Sequence, residues 1–125
     1  MSEYLLEVIA CSVEDALEAE RGGAGRLEVV RDLHLGGLTP PLRLVREILG
    51  VVSIPIRVMI RERNDYSAGT GTELQRLCVL AAEVGVLPID GLVLGFLTGT
   101  EINVEALNKI LSEVPRFPVT FHHAF

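Results

Sequence analysis

Four ionisable residues stand inside or at the end of apolar segments, where a charged side chain does little to help folding. They are Glu7 in LLEVIA (5–10), Glu28 in RLEVV (26–30), Arg61 at the end of IPIRVMIR (54–61) and His122 in PVTFH (118–122). An unpaired buried charge is very costly, so each of them needs a partner or a ligand. We therefore expect these four residues to meet in one catalytic or binding site.

The residue types point to a small polar or anionic ligand. Arg61 is suited to bidentate binding of a carboxylate or phosphate, and His122 to acid–base catalysis near neutral pH. Glu7 or Glu28 would pair with Arg61, or act as a base if its pKa is raised. The alternative is that the glutamates form structural ion pairs with Arg61, and that His122 and His123 are one core and one surface histidine.

Further candidates flank these segments. Arg63, Thr39 and Thr120 are the predicted ligand-binding residues. Gly36 to Pro40 (GGLTP) is either a plain turn and helix cap, with Thr39 capping and Pro40 in the first helical position, or an anion site at a helix N-terminus. Cys11 follows the first apolar segment and is the candidate metal ligand, since thiols bind soft metals, although a small packing residue is the alternative.

Apolar runs alternate with amphipathic stretches along the chain, which predicts the α/β class with parallel strands. Strands are predicted at 5–10, 26–30, 54–61, 90–96 and 118–122. Helices are predicted from Ser12 to Gly22, over 42–49, from the capping box Thr72–Gln75 to Gly85, and from Asn103 to Pro115. This pattern fits a doubly wound sheet or a (βα) barrel, and both place the site at the carboxyl ends of the strands. No G-x-G-x-x-G motif follows the first strand.

The parity of the third strand divides its side chains between the two faces of the sheet. Ile56, Val58 and Ile60 are predicted on one face, and Arg57, Met59 and Arg61 on the other. By the same parity Val8, Val29, Val58 and Phe121 would face the helices. The polar candidates would then share the opposite face.

Composition limits the classes of function. The chain has 125 residues, 49% of them hydrophobic, which suits one packed domain. A net charge of −6 argues against nucleic acid or an anionic membrane as partner. Two cysteines without C-x-x-C spacing are typical of a reducing cytosol, and no apolar run predicts a signal peptide or membrane span.

Several blocks together resemble the CutC copper-homeostasis family. The blocks are LLEVIACSVEDALEAERGGAGRLEVV, GGLTP, IRER, DGLVLGFLT and VTFHHAF. The resemblance implies a partial TIM (βα) barrel over residues 1–125, with about four βα units and a fifth parallel strand, covering half of the family's usual length. It also implies a cytoplasmic role in copper handling, with copper(I) as a ligand, and that Glu7, Glu28, Arg61 and His122 match residues in the barrel mouth.

The chain departs from the family pattern at the positions that would bind copper. The family often has cysteines two residues after each strand glutamate, where this chain has Ile9 and Val30, and Glu62 replaces a proline in IRER. Two other functions therefore stand beside copper binding. One is a lyase- or isomerase-like TIM-barrel enzyme acting on a small anionic metabolite, and the other is a degenerate, non-catalytic member.

A five-stranded part of a barrel has two open edges. A TIM barrel closes only with eight strands, and unpaired edges with apolar faces invite pairing. We therefore expect either self-association or a missing C-terminal half.

Overall fold

The structure, a computed structural model, describes residues 5–63, 65, 67–98, 101–114 and 117–121, with the backbone alone for Leu97 and Phe121. In chain order its strands are β1 (Glu7–Ala10), β2 (Arg26–Val29), β3 (Ile56–Met59), β4 (Gly91–Leu94), β5 (Leu97–Thr98), β6 (Glu101–Ile102) and β7 (Val119–Phe121). Its helices are α1 (Val13–Arg21), α2 (Leu42–Leu49), α3 (Gly71–Gly85) and α4 (Val104–Leu111), with a 3-10 turn at Leu33–Leu35.

The main sheet is parallel and follows the order of the chain. Its strand order is β1-β2-β3-β4-β7, and each neighbouring pair is parallel. A helix follows each of the first three strands, and α4 lies between β4 and β7. The predicted α/β class, with four βα units and a fifth parallel strand, is confirmed.

All four helices pack on the same face of this sheet. Residues from every helix join one hydrophobic core with Leu27, Val29, Val58 and Leu92. A doubly wound sheet carries helices on both faces, whereas a barrel carries them only outside. The architecture is therefore a partial (βα) barrel. We call the face of the sheet turned away from the helices the inner face.

The predicted parity of β3 is confirmed. Ile56, Val58 and Ile60 belong to the core under the helices. Met59 belongs to a second, smaller cluster on the inner face. Since side chains alternate along a strand, Arg57 and Arg61 share the inner face with Met59.

Capping residues set three of the helix starts. The side chains of Ser12 and Asn103 accept backbone N–H bonds from Asp15 and Ala106, as their positions in the sequence predict. The predicted capping box at Thr72 is wrong. Thr70 and Glu73 form it instead, two residues earlier, because Thr70 has the extended backbone that a cap needs.

The start of α2 also differs from the prediction. The N-cap residue is Pro41, without a side-chain cap, so Thr39 does not cap this helix and Pro40 is not its first residue. Thr39 is buried, and its hydroxyl accepts a bond from the Arg61 N–H (2.8 Å) and donates to the Arg61 carbonyl (3.1 Å). The Thr39 hydroxyl therefore holds the backbone of Arg61, just after β3, and does not cap the helix.

The fourth strand is shorter than the predicted range 90–96, and a short antiparallel hairpin follows it. The parallel strand ends at Leu94, and β5 pairs with β6 before α4 begins. Two-residue strands carry too little periodicity for the sequence to reveal them. Among the described residues, no helix is long and apolar enough to cross a membrane.

Candidate functional site

Six polar side chains lie together on the inner face, toward the amino ends of the strands. We call this set the polar floor; its members are Glu7, Arg26, Glu28, Arg57, Asp90 and Thr120. Strand register brings them together, because Glu7 lies opposite Arg26 and Glu28 lies opposite Arg57. The floor thus combines acids and bases drawn from four strands and the residue before β4.

Glu7 and Arg26 form an ion pair across β1 and β2. The Nε of Arg26 donates to the Glu7 carboxylate, and both side chains are about four-fifths buried, with 19% and 23% exposed. An ion pair at this depth is screened less than a surface pair. Glu7 is therefore bound by Arg26, and Arg61 does not supply its counter-charge.

Glu28 is the perturbed acid of the floor. Its pKa is raised to about 6 by burial first, then by the charge of Glu7 and a hydrogen-bonding interaction with the Glu7 carboxyl, against a lowering by Arg26. Two neighbouring carboxyl groups cannot both ionise easily when one is desolvated. Glu28 therefore exchanges a proton in the range where acid–base catalysts work.

Arg57 is the second arginine of the floor. Its Nε donates to Asp90 at 3.0 Å and its Nη1 donates to the Thr120 hydroxyl at 2.6 Å, and 12% of the side chain is exposed. These two contacts join β3, β4 and β7 and hold the guanidinium in one orientation. The remaining nitrogen, Nη2, is used by neither bond.

An apolar layer lies above the floor, toward the carboxyl ends of the strands. Val30, Met59 and Val93 form it, and Cys11 packs against them. Burial and then the charge of Asp15 raise the pKa of the Cys11 thiol, while a bond from the Leu33 N–H lowers it. A raised pKa disfavours the thiolate that binds metals.

Arg61 lies beyond this layer and is held by a loop. Only 1% of the residue is exposed, and its Nη1 donates to the carbonyls of Leu35 and Gly37, both at 3.1 Å. Gly36 has a φ of +90°, and a Cβ there would lie 2.7 Å from the same nitrogen, so only glycine allows this approach. The described contacts of Arg61 support the loop of residues 32–39.

Two further arginines at the carboxyl edge are held by acids. Arg63 binds Asp65 at 3.0 Å and Glu73 at 2.9 Å, and it holds the pKa of both carboxyl groups below their usual range. Arg31 binds Glu62 at 2.8 Å and donates to the Thr39 carbonyl at 2.8 Å. These contacts tie the loop after β2 to the loop after β3.

The structure brings together only part of the predicted site. Glu7, Glu28 and Thr120 meet on the floor, whereas Arg61 and Thr39 lie past the apolar layer and Arg63 lies among exposed acids. His122 lies outside the described residues. Among the residues that the structure describes, the expected single rim of charges is therefore divided in two. The polar floor lies toward the amino ends of the strands and not at the carboxyl ends, where the sequence predicts the site.

Three residues of the floor were missed by the sequence analysis: Arg26, Arg57 and Asp90. Arg26 has the parity of Glu28, and Arg57 has the parity of Arg61, so alternation alone places both on the inner face. Asp90 could not be found in this way, because it precedes its strand and reaches Arg57 on the neighbouring strand β3.

The described residues do not form an evident metal centre. Within the part of the chain that the structure describes, no three His, Cys, Asp or Glu side chains come close enough to hold an ion. Cys11 and Cys78 are free thiols, and Cys78 is one of the buried residues of α3. The donor set seen here does not fit a resident copper ion.

Helices on one face only and a charged inner face define this molecule as part of a TIM-type (βα) barrel. Its sequence matches the model of the CutC family over residues 4–125, and the chain belongs to that family. It is 38% identical to a mouse protein and 37% identical to a human protein, each named copper homeostasis protein cutC homolog, over 98% of this chain and 45% of each relative.

A solved structure gives the same result for the fold. The CutC protein of Streptococcus agalactiae superposes with a TM-score of 0.87 at 27% identity, over 97% of this chain and 60% of that one. The chain thus spans about half the length of the curated relatives it matches. The family that the sequence blocks resemble is confirmed.

The raised pKa of Glu28 predicts a pH-dependent stability. A carboxyl whose pKa rises on folding, here from 4.5 to about 6, stabilises the folded chain fully below the lower value and loses that contribution as pH rises through the higher one. Relative to Glu28→Gln, the free energy of unfolding of the unmodified chain should fall by about 1 kcal/mol between acidic and neutral pH, because solvent screening of this half-buried group reduces the roughly 2 kcal/mol that the shift alone would give. Urea denaturation across this range measures it.

The matched control is Glu105→Gln, an exposed residue in the first turn of α4. The difference in the free energy of unfolding between Glu105→Gln and the unmodified chain should show no such change near pH 6. A pH-independent difference for Glu28→Gln would mean that the carboxyl is hydrated in solution.

Proposed function

We propose that this chain acts in copper homeostasis in the cytoplasm, and that its inner face binds a small anionic molecule and exchanges a proton with it through Glu28. The family and the names of the mouse and human relatives support the physiological role. Two free thiols suit a reducing compartment. Because the chain spans about half of these relatives, the activity of the whole protein is part of the proposal.

The biochemical part of this proposal rests on one observation. The Glu28 carboxyl, with a pKa near 6, stands beside Arg26 and Arg57 on the inner face. Arg57 is oriented by Asp90 and Thr120 and keeps Nη2 for a further acceptor. An anion at Arg57 would therefore lie next to Glu28, the register partner of Arg57. A proton donor and an anion-binding group side by side suit enolisation, elimination or isomerisation of a small acid.

Copper(I) itself is the second candidate ligand. The Cys11 thiol and the Met59 thioether belong to one cluster on the inner face, and both are soft donors. In this case copper would be cargo, held above the polar floor. The raised pKa of Cys11 opposes it, because the thiol must lose its proton to bind.

A pair of titrations separates the two ligands. Nuclear magnetic resonance with inorganic sulfate, whose charge is constant across the range, should shift the Nε–H signal of Arg57. Affinity should be several-fold higher at about pH 5 than at about pH 7.5, because Glu28 is then neutral and no longer repels the anion. Arg57→Gln should weaken binding at least about tenfold, and Glu28→Gln should remove the pH dependence.

The control for charge is Arg43→Gln on the exposed side of α2, which should bind sulfate as the unmodified chain does. The second titration uses Cu(I) in a competition assay. Binding lost in Cys11→Ser but kept in Cys78→Ser would replace the anion with copper as the ligand. If neither probe binds, the chain is a non-catalytic member and the proposal is rejected.

A further inference from the structure

A groove on the helical side of the sheet has no role in the function proposed above. It has a volume of about 480 Å³ and runs between α2 and α3. Leu42 and Arg46 line one bank, and Val79, Ala82, Glu83 and Val86 line the other. Cys78 lies at its base and is buried, so the groove reaches down to the core.

Apolar side chains are exposed along this groove. Val86, directly after α3, is 78% exposed, and Val79, two turns earlier on the same helix, is 41% exposed. Residues spaced by seven lie on one side of a helix, so the two valines form a continuous ridge. A ridge beside a groove can pack into a second copy of the same surface.

The charges of the two banks are complementary. Arg46 stands on the α2 bank, Glu83 stands on the α3 bank, and Glu113, which follows α4, also lines the groove. Among the described residues none of these three forms an ion pair within the chain, in contrast to Arg43 on the outer side of α2, which pairs with Glu47. With respect to the described side chains, the charges of both banks are therefore available to a partner.

We infer that this groove is a surface on which a second copy of the chain docks about a twofold axis. Such an axis makes the same patch face itself, so each contact between unlike residues occurs twice. Arg46 of one copy then meets Glu83 of the other, and the valine ridge of each copy enters the groove of its partner. A purely basic or purely acidic partner would satisfy only one bank.

The inner face and the open sheet edges could also drive association, so the test must identify the surface. Sedimentation equilibrium of the 125-residue chain at about 50 µM should give the mass of a dimer. Val86→Glu should weaken association at least about tenfold, because it places a charge in the apolar contact. Val104→Glu, at a valine on α4 that is 58% exposed and lies away from the groove, should leave the mass unchanged.

Reversing the charges of Arg46 and Glu83 gives the decisive experiment. Arg46→Glu alone and Glu83→Arg alone should each be monomeric, because each opposes like charges across the axis. An equimolar mixture of the two variants should form a heterodimer, in which both contacts again join opposite charges. A dimer that ignores all of these changes would place association on the inner face or the edges, and a monomeric unmodified chain would overturn the inference outright.

Discussion

Gly91→Ala is expected to detach β7 from the sheet and to lower the free energy of unfolding by about 3 kcal/mol. A Cβ at this position would overlap the carbonyl oxygen of Pro118 and press on Nε of Arg57 at 3.3 Å. That carbonyl accepts the Leu92 N–H at 3.0 Å and opens the pairing of β4 with β7. Backbone on both sides of the overlap leaves no flexible group that could yield.

Urea denaturation measures the loss, and Gly71→Ala is the matched control. Gly71 is the first residue of α3, and a Cβ there meets no atom within 4 Å. The control should be neutral or stabilising by a few tenths of a kcal/mol, since alanine favours a helix. Equal stability of both variants would show that β7 is not paired with β4 in solution.

Gly91→Ala should also disturb the polar floor. Thr120 is carried by β7 and accepts a bond from Arg57 at 2.6 Å. If the strand leaves, Arg57 loses one of its two orienting contacts, and sulfate binding should weaken together with stability. A variant that is unstable but binds sulfate normally would remove Thr120 from the site.

Arg61→Leu is the second change with a large expected effect. The side chain is almost fully buried, and leucine would leave the carbonyls of Leu35 and Gly37 without their donor. Leaving buried acceptors unsatisfied, together with the loss of a charged donor, should lower the free energy of unfolding by about 3 kcal/mol. Hydrogen exchange should speed up at the Leu38 and Thr39 amides, which pair with Arg31 and Arg61.

An exposed arginine provides the comparison. Arg21→Leu removes a surface pair with Glu18 and should cost less than about 1 kcal/mol. The result also distinguishes two roles for Arg61. If Arg61→Leu is stable and its loop stays protected while sulfate binding disappears, then Arg61 is the ligand-binding residue that the sequence predicts, and the loop contacts are secondary.

Periodicity along the chain predicted most of the fold. Alternation in IPIRVMIR placed Val58 under the helices and Arg57 on the inner face, because a strand offers only two directions. Ser12 and Asn103 marked helix starts, since few other residues supply a capping oxygen there. These are local rules, and they need no knowledge of the neighbouring strands.

The site was harder to predict. The alternation of side chains tells on which face of the sheet a residue lies, but not which residues of the other strands lie level with it. Glu28 and Arg61 share the inner face, yet strand register places Glu28 beside Arg57 and leaves Arg61 beyond the apolar layer. The partners of Arg61 are loop carbonyls that depend on the positive φ of Gly36 and Gly37. Turn geometry of this kind arises from contacts distant in sequence, which residue types alone do not encode.

Met59 and the two valines beside it separate the two polar regions of the inner face from each other. Residues 32–39, which enclose Arg61, lie on one side of this apolar layer, and the Glu28 carboxyl lies on the other. Loops at the carboxyl edge could therefore be exchanged for those of another barrel while the proton affinity of Glu28 stays the same. For protein engineering, the ligand selectivity set by these loops and the acidity of Glu28 would then be changed independently within one small scaffold.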